Sequence, residues 1–160
     1  MNISFARSVM GAVLLCFFAA ASMAAAHEYT LGSLKIVHPW TRATPAGATT
    51  AVGYLKITNT GSTPMRLTGA TTAAAQRVEI HVMSMTGGVM SMRPVQGVDI
   101  AAGATVKLEL GGIHLMLIGL RKPLLQEQMI PLTLAFAGGK TVAIELYVEA
   151  MGAAQGAHDH

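Results

Sequence analysis

Alternation dominates this chain. From Thr50 to Thr58, Ala51, Gly53, Leu55 and Ile57 take every second position, with Val52, Tyr54 and Lys56 between them. Val106, Leu108 and Leu110 alternate with Lys107 and Glu109 in the same way. A period of two is the signature of a half-buried strand, because successive side chains point to opposite faces. Short runs of this kind recur along the chain: Tyr29–Leu31, Leu34–Pro39, Met65–Thr72, Arg77–Met83, Val98–Ile100, Ile130–Ala137 and Lys140–Val148. Turn chemistry punctuates them at Gly32-Ser33, Thr44–Ala48, Asn59–Ser62, Ala101–Gly103 and Gly138-Gly139. Arg93-Pro94 is expected to end regular pairing, and Arg121-Lys122-Pro123 to open a loop. No segment after residue 26 carries a long helical period. About nine short strands with regular turns predict an all-β fold, a sandwich or closed barrel of mostly antiparallel strands.

The first 26 residues have a different character. Arg7 is followed by the apolar run Val9–Ala21, too short to cross a bilayer comfortably, and then by Ala24-Ala25-Ala26. This reads as a cleaved secretory leader that sends residues 27–160 to the periplasm. Leu14-Leu15-Cys16 also admits a lipid-anchor reading, but Leu15 is bulky where a small residue is wanted, and Phe17-Phe18 continues the apolar run. Cys16 is the only cysteine, so the exported domain has no disulfide and no thiolate for a blue-copper site. Residues 27–150 form one domain, and residues 151–160, ending His158-Asp159-His160, a loose tail.

Charge narrows the function by exclusion. The formal net charge is +3, and loss of Arg7 with the leader lowers it to about +2. No cluster of Lys or Arg marks a nucleic-acid surface. G-x-S-x-G, Walker, and H-E-x-x-H motifs are absent, and the eight carboxylates are scattered. Binding fits the chain better than turnover.

Candidate chemistry is concentrated between His81 and Met116. His81, Met83 and Met85 share one face of a strand, as do Met90 and Met92; Thr86-Gly87-Gly88 makes the two segments a hairpin. His114 and Met116 are two apart in a strand bounded by Gly111-Gly112 and Gly119. Thioether and imidazole together suit Cu(I), whereas zinc would want thiolate or a third histidine and calcium would want oxygen. A methionine in an apolar strand is ordinarily a gap-filler, and that reading stands for Met65 and Met129. Periodicity leaves open which of the hairpin methionines bind metal. Met83, Met85 and Met90 could shield the ion, pass it on, or fill space. His38 and Trp40 read as structural, and Arg93 as an ion-pair or partner contact.

The spacing His81-x10-Met92-x21-His114-x-Met116 resembles the copper motif of the periplasmic PCuAC-type copper chaperones. Gly88-Val89-Met90, Met92-Arg93-Pro94-Val95, Gly111-Gly112 and His114-Leu115-Met116-Leu117 extend the likeness, as do His38-Pro39-Trp40, Arg42-Ala43-Thr44-Pro45, Gly53-Tyr54-Leu55 and Asn59-Thr60-Gly61. It covers residues 34–149. The resemblance implies a cupredoxin-like barrel, one Cu(I) held by His81, Met92, His114 and Met116, and delivery to a cytochrome oxidase subunit or its assembly factors. A monomer without stable membrane insertion is expected.

Two other readings remain at this stage. One is a copper buffer or resistance protein with no dedicated acceptor. The other is a copper enzyme using His27: cleavage before His27 would leave an amine–imidazole chelate, and cleavage after Ala24 would give Ala25-Ala26-His27, a square-planar Cu(II) or Ni(II) ligand set. An incidental histidine on a loose terminus is the commoner outcome. The tail, with His158 and His160, is a weak auxiliary copper site or an incidental sequence.

Overall fold

The computed structural model describes residues 28–153. The leader, the His27 terminus and the tail from residue 154 onward lie outside the described residues. Eleven strands form: β1 (Glu28–Leu31), β2 (Leu34–Arg42), β3 (Thr50–Asn59), β4 (Met65–Thr71), β5 (Ala75–Thr86), β6 (Val89–Val95), β7 (Val98–Ile100), β8 (Thr105–Leu108), β9 (Ile113–Leu120), β10 (Met129–Phe136) and β11 (Lys140–Glu149). There is no helix among the described residues.

The path β5-β9-β8-β3-β2-β11-β10-β4 closes on itself through the pairing of β4 with β5 at Ala70 and Val78. The all-β barrel expected from the alternation is therefore present, with β6, β7 and β1 as additional strands. Most neighbours are antiparallel; β2 runs parallel to β11, and β8 to β9. The inward positions, among them Ile36, Leu55, Ile57, Leu67, Leu115, Leu117, Leu134 and Leu146, make one core. Each fully buried aliphatic side chain of this kind contributes about 1.5–3 kcal/mol.

Two prolines depart from expectation. β2 does not stop at Pro39. It bulges between Val37 and Trp40, with His38 at φ 54, and continues to Arg42. The bulge lets the first half of β2 pair with β1 and the second half with β11. Likewise, Arg93-Pro94 does not end pairing: Arg93 faces Val82, Pro94 faces His81 and Val95 faces Ile80. β6 has β5 as its one neighbour, so Pro94 sits on an edge strand, where a missing N–H is tolerated. β8, by contrast, ends at Leu108, earlier than the alternation suggests.

At the Asn59 turn, the buried Asn59 amide donates to the carbonyls of Thr63 and Ile100, and its oxygen accepts from Gly61 N–H. Met65 packs against the core, the gap-filling role expected of it. Ala150–Ala153 closes a turn, and Arg42 Nε donates to the Ala153 carbonyl at 2.7 Å.

Candidate metal centre

Inward and outward positions are set by the core. Ile80, Leu115 and Leu117 point in, so His81 on β5 and His114 and Met116 on β9 point out. Directly paired residues of antiparallel strands share a face. His81 pairs with His114, and Glu79 with Met116. On the other side of β5, Pro94 pairs with His81, Met92 with Met83, and Met90 with Met85. His81, Met92, His114 and Met116 thus share one outer face across three adjacent strands. The histidines form the central row. Met92 lies two positions toward the hairpin tip on β6, and Met116 two positions the other way on β9.

The histidine row is enclosed although it faces outward. His114 is 2% exposed, and the His81 side chain 12%. Gly53 pairs with Leu115, so the register puts Tyr54 beside His114 on the far side from His81. Tyr54 packs on Trp40 with ring centroids 4.6 Å apart, and the Arg42 guanidinium lies 5.7 Å from the Trp40 ring. Trp40 and Tyr54 form a covered aromatic wall beside the histidines, outside the core cluster.

The two imidazoles lie with ring centroids 5.9 Å apart and planes at 50°. Each has one nitrogen engaged and one without a partner. His81 Nε2 is 2.9 Å from Glu79 Oε2, and Glu79 Oε1 in turn accepts from Arg77 Nε at 2.8 Å. His114 Nδ1 donates to the Gly112 carbonyl at 3.1 Å. His81 Nδ1 and His114 Nε2 are both buried without a hydrogen-bond partner. A carbonyl can only accept, so His114 carries its proton on Nδ1 and a lone pair on Nε2. The Glu79 carboxylate likewise accepts a hydrogen bond from His81 Nε2, which leaves Nδ1 as the ring nitrogen without a partner. An unsatisfied buried nitrogen costs about 1–3 kcal/mol, so two of them side by side call for a ligand. Engagement of the second nitrogen by a carboxylate or carbonyl is the usual support of a metal-binding histidine.

Electrostatics agree. Burial, reinforced by His81 and opposed by the Gly112 hydrogen bond, holds the His114 imidazole below its ordinary pKa. His114 is therefore neutral at pH 7. Hydrogen bonds from Arg77 and His81 keep the Glu79 carboxyl below the usual carboxylate range.

No group of three or more His, Cys, Asp or Glu occurs among the described residues that could hold a metal ion. Beyond the two imidazoles, the face offers thioethers: Met116, half-buried, and Met92, 44% exposed on the hairpin. The donor set fits a soft monovalent ion and suits zinc or calcium poorly. Arg93 is exposed and makes no ion pair among the described residues. Local periodicity overlooked Glu79 and the Gly112 carbonyl. The signal for Glu79 was its place two residues before His81 on the same strand face.

Comparison with known proteins converges on one family. A family model described as "Putative lipoprotein LpqE-like" matches residues 34–148. A "Putative lipoprotein" from Leifsonia xyli subsp. xyli is 36% identical over 117 residues, covering 72% of this chain and 69% of that protein. Among solved structures, the copper-bound PCuAC domain from PmoF2 is 30% identical with a TM-score of 0.67, covering 78% of this chain and 98% of that domain. The Cu(I) form of DR1885 from Deinococcus radiodurans is 28% identical with a TM-score of 0.60, covering 81% of this chain and 85% of that one. These neighbours have the cupredoxin-like fold, and the barrel described above is of that kind. The chain belongs to the LpqE-like family, the family of the PCuAC copper-chaperone domains.

Proposed function

We propose that this protein is an exported copper chaperone that holds one Cu(I) through His81, Met92, His114 and Met116 and releases it to a cytochrome oxidase copper centre. The observation that carries the reading is the pair of buried, unpartnered nitrogens, His81 Nδ1 and His114 Nε2, on facing strands. The copper bound in the PmoF2 domain and the Cu(I) in DR1885 support it.

All four proposed ligands are uncharged, so the bound ion keeps its single positive charge. The histidines, fixed by Glu79 and Gly112, act as the permanent half of the site. The thioethers are the exchangeable half. Met92 stands on an exposed edge strand, where an incoming thiolate or imidazole from an acceptor meets it first. Stepwise replacement, Met92 before the enclosed histidines, moves the ion without freeing it into water. The copper-binding neighbours support binding as the role of this site.

Export rests on the leader-like residues 1–26. The word lipoprotein in the descriptions of the family and the Leifsonia relative gives Cys16 a second reading as a lipid-anchor site. The intact mass of the secreted protein separates cleavage near Ala26 from a lipidated Cys16.

The function is tested by anaerobic Cu(I) competition against a chromophoric chelator, followed by transfer to an isolated oxidase copper domain. One tight equivalent that moves to the acceptor is expected. Tight binding without transfer would leave the buffer reading, and no tight binding would end the copper reading altogether.

A further inference from the structure

The β5–β6 hairpin carries more sulfur than the four-ligand site uses. Its tip is the two-residue turn Gly87-Gly88, with φ of 58 and 79, which join β5 and β6 between Thr86 and Val89. These are the angles of a type I′ turn, whose twist matches the strands and whose left-handed residues favour glycine. On one face of the hairpin, Met83 opposes Met92 and Met85 opposes Met90. On the other, Ser84 and Ser91 are hydrogen-bonded at 2.9 Å. Sulfur and hydroxyl are segregated completely over these three pairs.

Burial does not account for the sulfur face. Met85 is 69% exposed and Met90 59%, and neither belongs to the core cluster or the residues packed on it. The terminal β10–β11 hairpin solves the same structural problem differently: Phe136 is buried in the core, and Lys140 and Thr141 at its tip are polar and exposed. An exposed apolar face beside an unpaired edge strand is normally a liability.

The backbone brings the opposed methionines close. Met83 N–H donates to the carbonyl of Gly112, the residue just before β9, so the hydrogen-bonding edge of Met83 points away from β6. The Met83–Met92 pair is therefore a non-hydrogen-bonded pair of the hairpin, and so is Met85–Met90 two positions on. Such pairs hold their Cα atoms about 4.5 Å apart, closer than the alternating kind. Methionine has three rotatable side-chain bonds and a polarisable sulfur, so two opposed thioethers can close on one ion from this spacing.

From this we infer a second soft-metal station at the hairpin tip, in which the Met85 and Met90 thioethers, with Met83 behind them, bind a monovalent ion such as Cu(I) or Ag(I). Having no imidazole, it is the weaker of the two sites. It shares a face with the histidine pair, and Met83 and Met92 lie between the two. Met85 and Met90 lie outside the four-ligand set, so the two sites can fail separately.

The test is titration with Ag(I), followed through the ε-methyl NMR signals of the methionines in the wild type, in Met85→Leu/Met90→Leu and in His81→Ala/His114→Ala. In the wild type, two equivalents are expected, the second roughly tenfold or more weaker than the first, with the Met85 and Met90 methyls shifting during the second. Met85→Leu/Met90→Leu should keep the first equivalent and lose the second. His81→Ala/His114→Ala should lose the first and still shift the Met85 and Met90 signals. The substituted hairpin methionines are exposed, and thermal unfolding verifies that each variant is folded. A single equivalent in the wild type that leaves Met85 and Met90 unmoved would overturn the inference. So would a second equivalent that survives Met85→Leu/Met90→Leu.

Discussion

The histidine row and the methionine hairpin lie on one face and are built in opposite ways. His81 and His114 are enclosed, each with one nitrogen fixed by a carboxylate or carbonyl. Met85, Met90 and Met92 stand in solvent on the β5–β6 hairpin, the last two on its edge strand. The first arrangement pays in stability for a preset geometry. The second leaves reach and exchange open. A protein that must hold an ion firmly and also give it up needs both, and here they are adjacent strands of one sheet.

The largest effect should come from breaking the enclosed half. His114→Ala is expected to lower Cu(I) affinity by more than roughly 100-fold, since it removes a proposed ligand and not merely its support. His114→Leu should abolish tight binding as well, yet raise the stability of the metal-free protein by about 1 kcal/mol, because an unsatisfied buried nitrogen disappears. Chelator competition and urea unfolding on the same sample measure both. A destabilised His114→Leu would mean that the unpartnered nitrogen is no burden.

Loss of support should weigh less. Glu79→Ala frees the His81 ring and is expected to cost roughly 10- to 100-fold in affinity, the usual range for partners of ligating histidines. An unchanged affinity would show that Glu79 merely pairs with Arg77.

On the exposed half, Met92→Leu should lower affinity less than His114→Ala and leave unfolding within about 0.5 kcal/mol of the wild type, as for most surface substitutions. Equal losses in the two variants would erase the distinction between a permanent and an exchangeable half.

The smallest effect is one of pH. His114 is held below its ordinary value near 6.5, burial being the main cause. In that case the unfolded chain takes up a proton at a pH where the folded one does not. Stability of the metal-free protein is therefore unaffected above about 6.5, and falls as pH drops from there toward the folded pKa. Urea unfolding between pH 7.5 and 5 should show this slope, reduced in His114→Leu.

Much of this was legible in the chain. Alternation exposed the strands, and Gly87-Gly88 between two methionine segments marked the hairpin. The same-face placement of His114 and Met116 follows from a spacing of two. The His81–His114 pairing is a different matter. It depends on which strands become neighbours in a closed barrel, and no local period encodes that. Nor does a local period reveal which imidazole nitrogen is engaged, because Glu79 and the Gly112 carbonyl act through side-chain direction and backbone geometry. The prolines misled for a physical reason. Pro39 is accommodated by a bulge and Pro94 by an edge, and both depend on sheet topology rather than on the residues nearby.

The parallel pairing of β2 with β11 has a kinetic consequence. β11, near the end of the described chain, occupies the gap between β10 and the second half of β2. A nascent chain emerging from its N-terminus has nothing to fill that gap until residues 140–149 appear. Closure must then join segments more than ninety positions apart, and long-range pairing of this sort is slow. The barrel therefore cannot close until β11 has been made and has found the second half of β2.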